Sequence, residues 1–219
     1  MKVVFDKTVE EKSVSNCILD KNIILKSIKR AVTLCFDALP DDAVHIFVFP
    51  TFSRFVEKKM SGTTGYTPWK NTILAFVNQL SQRWERSLIE TIAHEYNHSV
   101  FFQYHKCQTL LDSIIFEGLA EHFREQVVGG GRAPWSKAVD KNQSKKILGE
   151  LKSEALLSSA DPEIYQNVFF EGKKYVQWTG YTIGYYIVES FLRLNPNLGW
   201  KDIMQISPHD IFSQSEFLK

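Results

Sequence analysis

The sequence predicts an α+β fold in which a small N-terminal β-sheet packs on one long helix and a mainly helical portion follows. Two observations carry this expectation. Residues 44–49, Val-His-Ile-Phe-Val-Phe, and 71–77, Asn-Thr-Ile-Leu-Ala-Phe-Val, are rich in the β-branched and aromatic side chains that strands favour. From Ser81 onward the apolar residues instead recur at intervals of four, as on the buried face of a helix.

In chain order, residues 2–5 offer a further strand. Asp20 is placed to cap a helix running to about Leu39, with Ile24, Ile28, Ala31, Val32 and Cys35 on one face and Pro40 ending it. Pro50 stops the strand over 44–49. Residues 61–65, Ser-Gly-Thr-Thr-Gly, read as a loop leading into the strand over 71–77. Ser81 is an N-cap for a helix through about His105, on the spacing of Trp84, Leu88, Ile92, Tyr96 and Val100. Thr109 and Asp112 have capping-box spacing, which starts a helix over 110–128, and Gly129-Gly130-Gly131 ends it. Helices are expected over 142–157 and 179–194, with a short one near 199–205. The chain thus reads as one domain, 1–219, whose residues 1–80 form an α/β portion and residues 81–219 a mainly helical one.

With 219 residues, 44% hydrophobic and 13% aromatic, the chain can bury a real core, which excludes a disordered or disulfide-dense minidomain. A net charge of +1 and basic doublets separated by other residues argue against nucleic-acid binding. The most apolar run is too short to cross a bilayer, and no secretion signal is recognisable, so no membrane partner is expected. Cys17, Cys35 and Cys107 are odd in number and form no CxxC, which suits a reducing cytoplasm. Oligomeric state has no signature in the sequence.

The chemistry concentrates in Ala93-His94-Glu95-Tyr96-Asn97-His98. Positions four apart share a helix face, so His94 and His98 can offer two imidazole nitrogens to one cation, with Glu95 beside them as a base. The helix continues about eight residues past His98, roughly 12 Å, and Glu117 lies roughly 11 Å into the next helix. If the two helices run antiparallel, Glu117 returns to the level of His98. Two imidazoles and a carboxylate suit one Zn2+ per chain with a position left open, although cobalt or manganese could substitute. Glu121, one turn beyond Glu117, could accept a hydrogen bond from a ligating imidazole. Gly118, between them, permits close approach of a neighbouring helix. His45, His105, His122 and His209 are read as packed or surface side chains.

An HExxH followed by a glutamate within Phe116-Glu117-Gly118-Leu119-Ala120-Glu121 resembles the gluzincin metallopeptidases. More closely, the chain resembles the YjaZ-like family of predicted zinc-dependent proteases, in residues 46–50, in 62–77 with Gly-Tyr-Thr-Pro, in the HExxH core, in 117–121 and in 178–188 with Gly-Tyr-Thr-Ile-Gly-Tyr. The resemblance implies a zincin-like fold, His94, His98 and Glu117 as zinc ligands, and Glu95 as catalytic base.

The expected activity is hydrolysis of peptide bonds in a peptide or protein, with Glu95 as general base toward a metal-activated water. A tyrosine would stabilise the oxyanion. Tyr181 is the first choice and Tyr185, one turn on, the alternative, since Gly180 and Gly184 would let their helix pack closely. The strand over 72–77, if it lies at a sheet edge, could pair with extended substrate, with Gly62 and Gly65 shaping the rim. The competing readings are a zincin-fold regulatory or binding protein in a stress response, without turnover, and a hydrolase of short peptides.

Overall fold

The structure, a computed structural model, describes residues 1–5, 20–41, 43–151, 156–157, 161–170 and 173–217. Cys17 and residues 152–155 of the helix expected over 142–157 lie outside them. The described chain divides into two compact units, Met1–Gln103 with Val127–Gly129, and Tyr104–Gln126 with Gly130–Lys219.

The first unit is built on a four-stranded mixed sheet of β1 (Lys2–Phe5), β2 (His45–Pro50), β3 (Thr63–Trp69) and β4 (Thr72–Val77), in the order β1-β2-β4-β3. β1, β2 and β4 run parallel, and β3 closes a hairpin antiparallel to β4. Helix α1 (Lys21–Ala38) connects β1 to β2 and begins as expected, the Asp20 carboxylate accepting from the amides of Asn22 and Ile23. Its buried face is Ile24, Ser27, Ile28, Ala31 and Cys35, with Val32 half-buried. A short helix α2 (Arg54–Lys59), capped by Ser53, precedes β3.

The register aligns inward positions across the sheet: Ile46 with Ile73, Val48 with Ala75, and Ala75 with Gly65. Ile46, Val48, Ile73, Ala75 and Val77 are fully or almost fully buried, as alternation on one covered face requires. On the opposite face Phe49 and Phe76 stack at 5.4 Å.

β3 corrects the reading of residues 61–65 as a loop. Only Ser61 and Gly62 form the turn, both at positive φ, and the chain is extended from Thr63. Gly65 and Pro68 disguise this strand in the sequence, yet an edge strand tolerates proline because one side of it needs no ladder bond. Consequently β4 is internal, between β2 and β3, and the edge beside it is β3.

Helix α3 (Trp84–Tyr104), of the first unit up to Gln103, starts two residues later than an N-cap at Ser81 would place it, after a turn closed by Trp84 N–H on Ser81 O. Its buried residues fall on nearly every side, from Trp84 and Leu88 to Tyr96, Asn97 and Phe101. Tyr96 donates its hydroxyl to Leu39 O at 2.9 Å, tying the middle of α3 to the end of α1.

The second unit is helical. α4 (Leu110–Val128) opens on the expected capping box, with Asp112 N–H on Thr109 Oγ1 and Thr109 N–H on Asp112 Oδ2, and Gly129 and Gly130 at positive φ follow it. After a 3-10 turn at Pro134–Lys137 come α5 (Lys141–Glu150), α6 (Pro162–Phe169), α7 (Thr179–Leu194), α8 (Trp200–Ile203) and α9 (Pro208–Gln214). α7 is the hub, packing against the 3-10 turn, α5, α6 and α9. α4 and α7 touch backbone to backbone: a Cβ on Gly118 would lie 2.3 Å from Gly184 O, and one on Gly184 would lie 2.0 Å from Ile114 O. The expectation that Gly118 and Gly184 permit close packing is met, while Gly180 makes room for Phe169 and Val168.

Because a methyl at 184 would meet backbone that cannot rotate away, Gly184→Ala should lower the unfolding free energy by about 2–3 kcal/mol in urea titrations. Gly149, with open space at its Cβ position in α5, is the control: Gly149→Ala should gain up to about 1 kcal/mol from helix propensity.

Candidate metal centre

Within the first unit, α3 meets β3 along a row of polar side chains. Ser87, Thr91, Glu95 and Ser99 stand four apart on the helix, and Thr63, Gly65 and Thr67 stand two apart on the strand. Four helical residues rise about 6 Å and two strand residues about 6.7 Å, so the two rows stay nearly in step. Thr63 Oγ1 shares hydrogen bonds with Ser87 Oγ at 2.6 Å and Thr91 Oγ1 at 2.9 Å. Thr67 Oγ1 lies 2.7 Å from Glu95 Oε2 and 3.1 Å from Glu95 O. Beyond the strand, Asn71 N–H donates to Ser99 Oγ at 2.8 Å.

Glu95 is 6% exposed. A carboxylate so enclosed needs donors, and Thr67 supplies one. Gly65 supplies the space, since a Cβ there would lie 2.4 Å from Glu95 Cγ and 2.7 Å from Oε1. His94 and His98, on the adjoining face of the same helix, are half-buried and buried, their rings edge to face at 4.5 Å between centroids.

Within the second unit, α4 carries Glu117, half-buried, and Glu121, fully buried. Glu121 Oε2 accepts from Arg124 Nη2 at 3.1 Å, and Arg124 also reaches Glu125 Oε1 at 3.3 Å and Gly131 O at 3.2 Å. Tyr181 is half-buried and packs edge to face on Phe169 at 5.3 Å. Tyr185 is buried, with His122 stacked on its ring at 4.1 Å and the Arg132 guanidinium 3.9 Å from its ring centre. Its hydroxyl donates to Glu125 Oε2 at 2.9 Å. Burial, then that hydrogen bond, hold the Tyr185 phenol well above its ordinary range, and burial raises Glu125 as well.

Among the described residues His94, His98 and Glu117 form a set able to hold a metal ion, one ligand atom from each lying within 4.8 Å of the others. Two imidazoles and one carboxylate fit zinc, and three protein ligands leave the fourth position of a catalytic site open. The other histidines are engaged locally or exposed: His105 Nε2 is 2.9 Å from Met204 O, His122 Nε2 is 2.9 Å from Tyr185 O, and His45 and His209 are exposed. The contact of Thr67 with Glu95 has one local signal in the sequence, the alternation of small and hydroxylated residues at 63, 65 and 67.

The family model described as "Predicted Zn-dependent protease (DUF2268)" matches residues 24–213. The chain is also similar to the "Uncharacterized protein YjfC" of Bacillus subtilis (strain 168), 29% identical over 115 residues, which take in 46% of this chain and 38% of that protein. The chain therefore spans well under half the length of this curated relative. No solved structure matches. No described helix is long and apolar enough to cross a membrane.

His122 gives this region a pH dependence. Burial holds its pKa below the ordinary 6.5, so the unfolded chain binds the proton more readily. The stability this contributes is fully present above pH 6.5 and is lost as the pH falls through the lowered value. Urea titrations from about pH 7.5 down to about pH 5 should therefore show wild type losing more stability than His122→Gln; parallel curves would contradict the assignment.

Proposed function

The chain belongs to the family of predicted Zn-dependent proteases, and from that premise we propose that it is a zinc metallopeptidase hydrolysing peptide bonds in a peptide or protein substrate. His94, His98 and Glu117 hold one Zn2+ per chain, and Glu95 is the general base. The observation that carries this reading is the donor set itself: ligand atoms of His94, His98 and Glu117 within 4.8 Å of one another, with a buried carboxylate held by a hydroxyl at Glu95, the residue after His94.

When bound, zinc supplies Lewis-acid polarisation of a carbonyl and acidifies water toward neutrality. Glu95 takes the proton from the attacking water and delivers it to the departing amine nitrogen as the C–N bond breaks. Thr67 and Gly65 set the place from which that carboxylate acts. Glu121, paired with Arg124, is the carboxylate proposed to orient a ligating imidazole. Tyr181 is proposed as the oxyanion donor ahead of Tyr185, whose hydroxyl proton is already given to Glu125.

β3 carries Glu95's partner and is also the edge strand, so an extended substrate adding to its outer side would lie beside the base. This moves the proposed docking edge from β4 to β3. The free cysteines Cys35 and Cys107 fit a reducing compartment, and we take the cytoplasm as the site of action.

Elemental analysis paired with cleavage of a peptide library tests the reading. Glu95→Gln should retain zinc and lose turnover, and Glu117→Ala should lose zinc. Equal turnover by Glu95→Gln and wild type would sink the proposal, and a zinc-loaded chain without turnover would favour the binding-protein reading. Separately, Tyr181→Phe should lower kcat by about 100- to 1000-fold with zinc content unchanged; the same loss from Tyr185→Phe alone would reverse the choice within the pair.

A further inference from the structure

We propose that Thr67 is a positioning residue for the general base: its hydroxyl fixes one oxygen of Glu95, so that the other oxygen handles the proton. The inference rests on the reading of Glu95 given above and concerns residues of the first unit alone.

Thr67 is almost fully buried, and its hydroxyl carries one proton. Of its two acceptors, Glu95 Oε2 at 2.7 Å is closer than Glu95 O at 3.1 Å, and a carboxylate is the stronger acceptor. Oε2 is thereby committed. Oε1 is the oxygen nearest the position that a side chain at Gly65 would fill, 2.7 Å from an ideal Cβ there. One strand thus holds Oε2 with a hydroxyl, and its glycine two residues away provides the room that Cγ and Oε1 of Glu95 occupy. A free carboxylate rotates about its last bond and presents either oxygen, whereas this one is held in a single orientation before substrate arrives. In the hydrolysis, the water oxygen bonds to the carbonyl carbon, its proton passes to Oε1, and the same proton goes to the amine nitrogen as the C–N bond breaks. Oε2 keeps its bond to Thr67 throughout.

Thr63 provides the control. It makes the same kind of hydroxyl contact to α3, two strand positions before Gly65, but to Ser87 and Thr91 rather than to Glu95. If Thr67 served only to glue strand to helix, the two threonines would be equivalent.

The test uses the full zinc-loaded chain and a peptide that wild type cleaves. Thr67→Val should lower kcat by about 10- to 100-fold with KM within about threefold, since the base is misoriented and substrate binding is untouched. Thr67→Ser should restore most of the rate, and Thr63→Val should leave kcat within about twofold of wild type, whatever it does to stability. A second readout needs neither zinc nor turnover. In metal-free protein, the shift in urea midpoint caused by Thr67→Val should shrink by more than half in a Glu95→Ala background, because the partner is already gone. Wild-type kcat in Thr67→Val, an equal loss in Thr63→Val, or additive midpoint shifts would each overturn the proposal. Should Glu95→Gln itself keep turnover, the base assignment fails. Should Glu95→Gln be dead and Thr67→Val fully active, the positioning role alone fails.

Discussion

The hydrogen bond between Thr67 and Glu95 ties the edge strand to the helix that carries the two histidines of the candidate metal centre. Burying a carboxylate is costly unless donors replace the lost water, and β3 brings the Thr67 hydroxyl to the enclosed Glu95 as one such donor. The same approach explains why β3 carries Gly65 there: any side chain would occupy the volume of Glu95 itself. Sheet, helix and the Glu95 carboxylate are therefore one structural decision. The inward face of β3 is polar and small where the inward faces of β2 and β4 are aliphatic, because it meets the polar row of α3.

In the second unit the corresponding constraint is steric. The α4–α7 contact at Gly118 and Gly184 leaves no room for a methyl on either backbone, and it sits one residue from Glu117 and one from Tyr185. A glycine in a helix interior costs about 1 kcal/mol of propensity, which the close contact must offset through packing. Glu121 and Arg124, three apart on α4 and both buried, add a pair whose value lies in fixing orientation more than in stability, since desolvation consumes most of its Coulomb energy. The chain Glu121, Arg124, Glu125, Tyr185 then links the two helices by contacts of defined geometry.

What was legible in the sequence was what short-range chemistry decides. The starts of α1 and α4 are set by side chains that reach amides two or three residues away, so Asp20 and the Thr109–Asp112 pair announced them. The span of α7 agrees with the helix expected over 179–194. The pair His94 and His98 with Glu95 followed from helical geometry alone. β3 was illegible because an edge strand with a polar inward face lacks the aliphatic alternation by which strands are recognised, and its stability comes from β4 and α3. Thr67 was missed for the same reason: its partner lies 28 residues away, and no local pattern encodes that distance. The short helices α6 and α9 were overlooked although Asp161-Pro162 and Ser207-Pro208 place a capping residue directly before a proline, a pairing typical of a helix start.

The helix α3 has to serve two surfaces at once, and its period determines how. Residues four apart advance about 40° around the axis, so the row Ser87, Thr91, Glu95, Ser99 winds gradually across the helix as a ridge that a strand can follow. On the same geometry His98 stands about 60° from Glu95 and His94 about 100°, both to the same side. Glu95 is thus the residue at which the strand-facing ridge passes closest to the imidazole face. Moving this carboxylate one position either way along the chain would turn it about 100° away from the strand's hydroxyl. The place of glutamate within HExxH is fixed here by two partners, the histidines on one flank and the edge strand on the other.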